Sequence, residues 1–157
     1  MAKNISKDTP LSEITFRRYE KPGKVTGRNL VRKVCLSVGL LQPGDSRDVV
    51  VDVFYVLLRA RNRKKNLTSE EIVELVIKSR KRSKLPMLGI APSNIRRQLL
   101  RIRELFFVEK IKNRYRITEF MRLEEIYNSR VKRILLDSIL RRVEEHIIAV
   151  DSDFKRN

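Results

Sequence analysis

Apolar residues recur at helical spacing in five stretches of this chain and alternate at strand spacing in one. Leu30, Val31, Val34, Val38 and Leu41 predict a short helix over 28–41, ended by Gln42-Pro43-Gly44. Val49, Val50, Val53, Phe54, Leu57 and Leu58 predict a broadly buried helix over 46–62. Asp45 or Ser46 is its expected cap, and Asp48 falls in the first turn, where a carboxylate suits the positive helix end. Thr68-Ser69-Glu70-Glu71 has the T-x-x-E pattern of a capping box. It opens a third helix over 69–81, with Ile72, Val73, Leu75, Val76 and Ile77 inward. Pro92 suits a first helical turn, although Ala91 is a weak cap. From there Ile95, Leu99, Ile102 and Phe106, spaced four, three and four, predict a fourth helix.

The period then switches. Val108 on one side and Tyr115 and Ile117 on the other alternate with polar residues around Lys112-Asn113. This predicts a β-hairpin, because Asn tolerates the left-handed backbone of tight turns. Asn66-Leu67-Thr68 can add a short strand beside it. Residues 120–150, without Gly or Pro, predict one long helix. Its first half offers Leu123, Ile126, Tyr127, Ile134 and Leu135 to the body. Its second half offers Leu136, Leu140, Val143, Ile147 and Val150 at alternating spacings of four and three, a heptad seam of two repeats. Residues 1–27, with Pro10, Pro22, Gly23 and Gly27, read as an extended basic arm carrying Lys3, Lys7, Arg17, Arg18, Lys21 and Lys24. Leu11, Ile14 and Phe16 are the residues to pin it.

Charge sharpens this division. The chain has a formal net charge of +17, which predicts a polyanionic partner. Residues 46–121 hold 19 Lys/Arg against 8 Asp/Glu, whereas residues 122–157 hold 8 against 7. The charge peaks over the helices and hairpin and nearly vanishes in the last helix, which therefore has a different task. Cys35 stands alone, so no disulfide framework is expected, and a buried thiol is. No apolar run of about 18 residues exists, and the first residues lack the apolar core of a signal peptide. Together these predict a cytoplasmic, nucleoid-associated protein without a membrane.

The stretch GIAPSNIRRQLLRIRELFFVEKIKNRYRITE, residues 89–119, resembles the recognition helix and wing of the winged helix-turn-helix superfamily of small bacterial and archaeal regulators. The resemblance covers residues 46–121. It implies a mainly α fold with a small β-hairpin wing, flanked by the arm (1–27), an accessory helix and turn (28–45), and a long C-terminal helix and tail (122–157). Where members usually carry Gly after the recognition helix, this chain has Phe106 or Phe107. Its turn between the second and third helices of the motif is a long basic loop. The resemblance implies double-stranded DNA binding by a dimeric transcriptional regulator, with the recognition helix in the major groove.

On that reading the expected DNA-binding residues fall in three groups. Ser93, Asn94, Arg96, Arg97 and Arg101 lie on the recognition helix, where arginine pairs with guanine edges or clamps phosphate. For Asn94 a hydrogen bond at the helix terminus is the equal alternative. Lys110, Lys112, Arg114 and Arg116 lie on the wing, and Arg80, Lys81, Arg82 and Lys84 on the basic loop, both suited to phosphate. The seam Leu136, Leu140, Val143, Ile147 and Val150 is the expected dimer interface, pairing two C-terminal helices across the DNA's twofold axis. Helix capping accounts for Asp45 and Asp48, and Asp52 is expected to pair with a nearby Arg. No metal or cofactor site is expected. His146 is the only histidine, no Gly-rich phosphate loop exists, and the one (D/E)-x-K triplet, Asp153-Phe154-Lys155, lies on the tail. An enzyme is therefore not expected. The sequence leaves two other classes open: an RNA-binding, ribonucleoprotein or polymerase-associated factor, and an architectural protein that coats DNA.

Overall fold

α2 (Val49–Asn62) is the hub around which the other elements pack. Nine of its 14 residues are buried, so it is apolar around most of its circumference. The computed structural model describes residues 8–155. Within them α1 (Gly27–Ser37) precedes the hub. After it come β1 (Leu67–Thr68), α3 (Ser69–Arg82), α4 (Pro92–Glu104), β2 (Val108–Ile111) and β3 (Arg114–Ile117). A short 3-10 turn, Thr118–Phe120, leads into a continuous helical run. That run is α5 (Leu123–Ile126), a π-helical segment (Tyr127–Leu136) and α6 (Asp137–Asp153). The protein is mainly helical, with one small antiparallel sheet of strand order β1-β3-β2.

Ile72 and Val76 of α3 and Ile95, Leu99 and Ile102 of α4 close on Val53, Phe54 and Leu57 of the hub. The Phe54 and Phe107 rings sit 5.8 Å apart. The Thr68 cap forms, with the Glu71 N–H donating to Thr68 Oγ1 at 3.2 Å, but the Glu71 carboxylate accepts from the Thr68 hydroxyl, also at 3.2 Å, rather than from its backbone N–H. β1 pairs with β3 through Leu67 and Tyr115, and β2 with β3 from Val108–Ile117 to Ile111–Arg114. The hairpin turns through Lys112 and Asn113, both with positive φ.

Several details differ from the sequence reading. The first helix ends at Ser37, four residues early. Gly39 takes φ +79, and the Leu40 and Leu41 N–H groups both donate to the Cys35 carbonyl, folding these leucines inward. A Cβ at Gly39 would lie 2.6 Å from the Thr15 carbonyl oxygen, so the glycine also lets the arm dock. The arm is held less by Leu11, which is fully exposed, than by Arg17. Arg17 donates to the Leu36 and Leu41 carbonyls and to Gln42 Oε1. Lys3 and Lys7 lie outside the described residues.

Phe106, standing where the resemblance leads one to expect glycine, adopts φ +67. A left-handed residue ends α4, and a half-buried aromatic ring occupies it. Finally, the long helix is π-helical over Tyr127–Leu136. Its i→i+5 bonding turns Ile126, Val131 and Leu135 inward at spacings of five and four. Ile134, expected inside from the α-helical period, is 54% exposed.

Candidate nucleic-acid interface

The face of α4 opposite its core stripe carries Ser93, Arg96, Arg97 and Leu100, all exposed. Arg96 and Arg97 form no ion pair or side-chain hydrogen bond among the described residues. Along one flank the polar side chains are engaged. The Asn94 amide donates to the Gly89 carbonyl at 2.8 Å, and Asn94 Oδ1 accepts from Gln98 Nε2 at 3.1 Å. Arg101 donates to Gln98 Oε1 at 2.7 Å and to the Gly39 carbonyl at 3.3 Å. Asn94 thus makes the helix-terminus bond of its two alternatives, and Arg101 ties α4 to the turn after α1.

The hairpin holds its cations in different ways. Lys110 lies over the buried Tyr115 ring, with Nζ 5.6 Å from the centroid. Lys112 sits exposed at the turn. The Arg114 guanidinium is 49% exposed and 3.8 Å from Glu71. Arg116 pairs with Glu109 at 2.7 Å and stacks over Phe120. Lys112 is the wing cation with the fewest obligations to the fold.

Arg80 corrects the reading of the basic loop. α3 continues to Arg82, so residues 80–82 are helical rather than loop. The Arg80 side chain is 1% exposed and cannot reach a phosphate. Its Nη1 contacts Asp48 Oδ1 at 3.0 Å and Asp52 Oδ2 at 2.7 Å, and its Nε donates to the Pro86 carbonyl at 2.7 Å. Arg28 of α1 completes a quartet, with Nε at 2.9 Å from Asp52 and Nη2 at 3.1 Å from Asp48. The reason is positional: Ile72, Val76 and Arg80 fall four apart on the inward face of α3. α2 starts at Val49, later than expected, so Asp48 rather than Asp45 or Ser46 occupies its cap position; it makes no capping bond, and its carboxylate turns to the two arginines. Asp52 pairs with arginine as expected. Burial pushes the Asp48 carboxyl up, but the bonds and charges of Arg28 and Arg80 outweigh that and hold it below the ordinary carboxylate range. The quartet locks α1, α2, α3 and the segment before α4 into one frame. Lys81, Arg82 and Lys84 stay exposed around it.

α6 has no buried residue. Leu140, Val143, Ile147 and Val150 are 50–57% exposed, and Leu136 at the helix start is half-buried. Cys35 is buried, and burial pushes its thiol up to about 12, so it stays protonated and unreactive at neutral pH. No group of three metal-ligating side chains exists among the described residues, and no helix there is long and apolar enough to cross a membrane. Comparison with protein-family models, with curated proteins and with solved structures finds no match.

Proposed function

We propose that this protein is a non-enzymatic, double-stranded DNA-binding protein of the winged helix-turn-helix type, acting as a dimer in transcriptional control. The observation that carries the reading is the exposed, unpartnered pair Arg96 and Arg97 on the outward face of α4, directly followed by a basic hairpin. The order α2-β1-α3-α4-β2-β3 and the sheet order β1-β3-β2 support the wing assignment. In this reading α4 enters the major groove, and Lys112, Arg114, Lys81, Arg82 and Lys84 meet phosphates. Through the Pro86 carbonyl the quartet also holds the segment that leads into α4. Two aromatics of the hairpin region count against base stacking on single-stranded RNA. Tyr115 and Phe107 are buried, so neither is available for base stacking.

The test is binding to a duplex across a salt series. Neutralising roughly 6–10 phosphates per dimer makes log affinity fall with log salt at a slope of about −5 to −9. A flat dependence, or tighter binding to single-stranded RNA than to duplex DNA, overturns the reading.

A further inference from the structure

The apolar stripe of α6 needs a counterpart, and its own flanks oppose a second α6. Placing Leu140 and Ile147 at heptad position a, with Leu136, Val143 and Val150 at d, puts Asp137, Glu144 and Asp151 at e. Ile139, His146 and Asp153 then stand at g. Neither flank holds a Lys or Arg. The two arginines of α6 sit at outer positions and are paired within the helix, Arg141 to Asp137 at 2.9 Å and Arg142 to Glu145 at 2.8 Å. Antiparallel pairing of two such helices sets acid against acid along the e positions. Parallel pairing offers only His146 against Asp151. In a chain of net +17, α6 holds five acids against two arginines.

The complementary surface lies on the same chain. A groove of about 500 Å³ runs between the C-terminal half of α2 and α3. Its apolar wall includes Val56, Ala60, Leu67 and Leu75, and Leu75, expected inward from the helical period, is exposed instead. Its rim carries Arg59, Arg63, Lys65, Lys78 and Arg82, against the acids Glu71 and Glu74. Arg59 lies over the Tyr55 ring, and Arg28, which also lines the groove, is held by the quartet. Arg63, Lys65, Lys78 and Arg82 form no ion pair among the described residues. No residue of α4, β2 or β3 lines this groove, and of its rim cations only Arg82 is shared with the proposed phosphate contacts.

We propose that α6 of one copy docks in the α2–α3 groove of a second copy, reciprocally, with its apolar stripe on the wall and its acids against the rim. Two equivalent contacts then close a twofold dimer. The proposal deepens the dimeric part of the function proposed above and rests on it. The DNA-binding part is read out separately.

The experiment is sedimentation of the full chain at tens of micromolar, with charge reversal on each side. The helix variant is Glu144→Lys with Asp151→Lys; the groove variant is Arg63→Glu with Lys65→Glu. All four positions are exposed, and circular dichroism checks that each variant is folded. The unmodified chain is expected as a dimer, and each variant alone as a monomer, with dimerisation weakened at least about tenfold. Mixing the two variants restores a heterodimer, because each altered helix then meets a groove of opposite charge. A groove variant that remains dimeric, an unmodified chain that is monomeric, or a mixture that stays monomeric overturns the proposal. Duplex binding is read separately: Arg97→Ala weakens it in the unmodified chain and in the monomeric helix variant alike if the α4 reading holds, and in neither if that reading is wrong.

Discussion

Arg80 and Arg97 belong to the same kind of sequence, a helix rich in arginine, and the fold uses them in opposite ways. Around Arg80, at the junction of α1, α2 and α3, two arginines and two aspartates are desolvated and pair with one another. Around Arg97, on α4 and the hairpin turn, cations stand in solvent without partners. Desolvating a guanidinium is favourable only where its hydrogen bonds are replaced, and the quartet replaces them. The exposed cations need no such replacement and retain their capacity for an outside polyanion. A net charge therefore overstates binding capacity until the cations committed to the fold are subtracted.

The largest expected effect separates these regions by stability. Arg80→Met leaves two carboxylates facing Arg28 alone in a buried setting. Removing one partner of such a network costs about 3–5 kcal/mol, a large part of a small domain's stability. Arg97→Ala is expected to change stability by less than about 0.5 kcal/mol. It should instead weaken a specific duplex by about 1–3 kcal/mol, and random duplex less. Urea denaturation and duplex titration of both variants give the four numbers. The comparison breaks if Arg80→Met stays as stable as the parent, or if Arg97→Ala unfolds the protein and leaves binding intact.

A smaller effect is expected with pH. The folded Asp48 carboxyl titrates below its unfolded value of about 3.9. Its contribution to stability is fully present above that value and is lost as pH falls through the lower, folded one. The acid limb of the stability curve below about pH 4 should therefore flatten in Asp48→Asn, which is less stable than the parent at neutral pH and converges with it in acid. Arg97→Ala should reproduce the parent's acid limb. Parallel curves for Asp48→Asn and the parent would remove Asp48 from the quartet's energetics.

How much of this was legible in the sequence follows from which rule each feature obeys. α4 and the hairpin were legible because their periods are clean: 95, 99 and 102 for the helix, then alternation around Lys112-Asn113. The Thr68 cap and β1 were legible for the same local reason. The burial of Arg80 was hidden because its charge was grouped with its basic neighbours. Its place on the Ile72–Val76 stripe was the available signal, and Asp48 and Asp52 on the most buried helix were a second. The early end of α1 depended on Gly39 and on a close approach of the arm at Thr15, which lies 24 residues away in sequence. The π-helical segment leaves no mark in an α-helical period, which therefore passes over Val131 and puts Ile134 inside. At the candidate site, the exposure of Arg96 and Arg97 followed from the stripe. The engagement of Arg101 with Gly39 depended on a tertiary neighbour that spacing does not reveal.

The smallest expected effect falls on the turn, where the two uses of a cation can be set against each other at a single residue. Lys112 has φ 50 and Asn113 φ 62, the left-handed pair that a two-residue hairpin requires. A lysine has no side-chain compensation for that conformation, whereas asparagine bonds locally and tolerates it. Lys112→Asn should therefore stabilise the protein by about 0.5 kcal/mol, seen as a small rise in the thermal midpoint. It also removes an exposed cation that sits on phosphate in the proposed reading. Affinity should fall alike for specific and random duplex, and the salt slope should shrink by about 1 per copy. Stability and binding then move in opposite directions, because at this position the backbone prefers a residue that the polyanion does not. A fall in stability would show that the turn is not limited by its left-handed lysine. A loss confined to the specific duplex would move Lys112 from phosphate to base recognition.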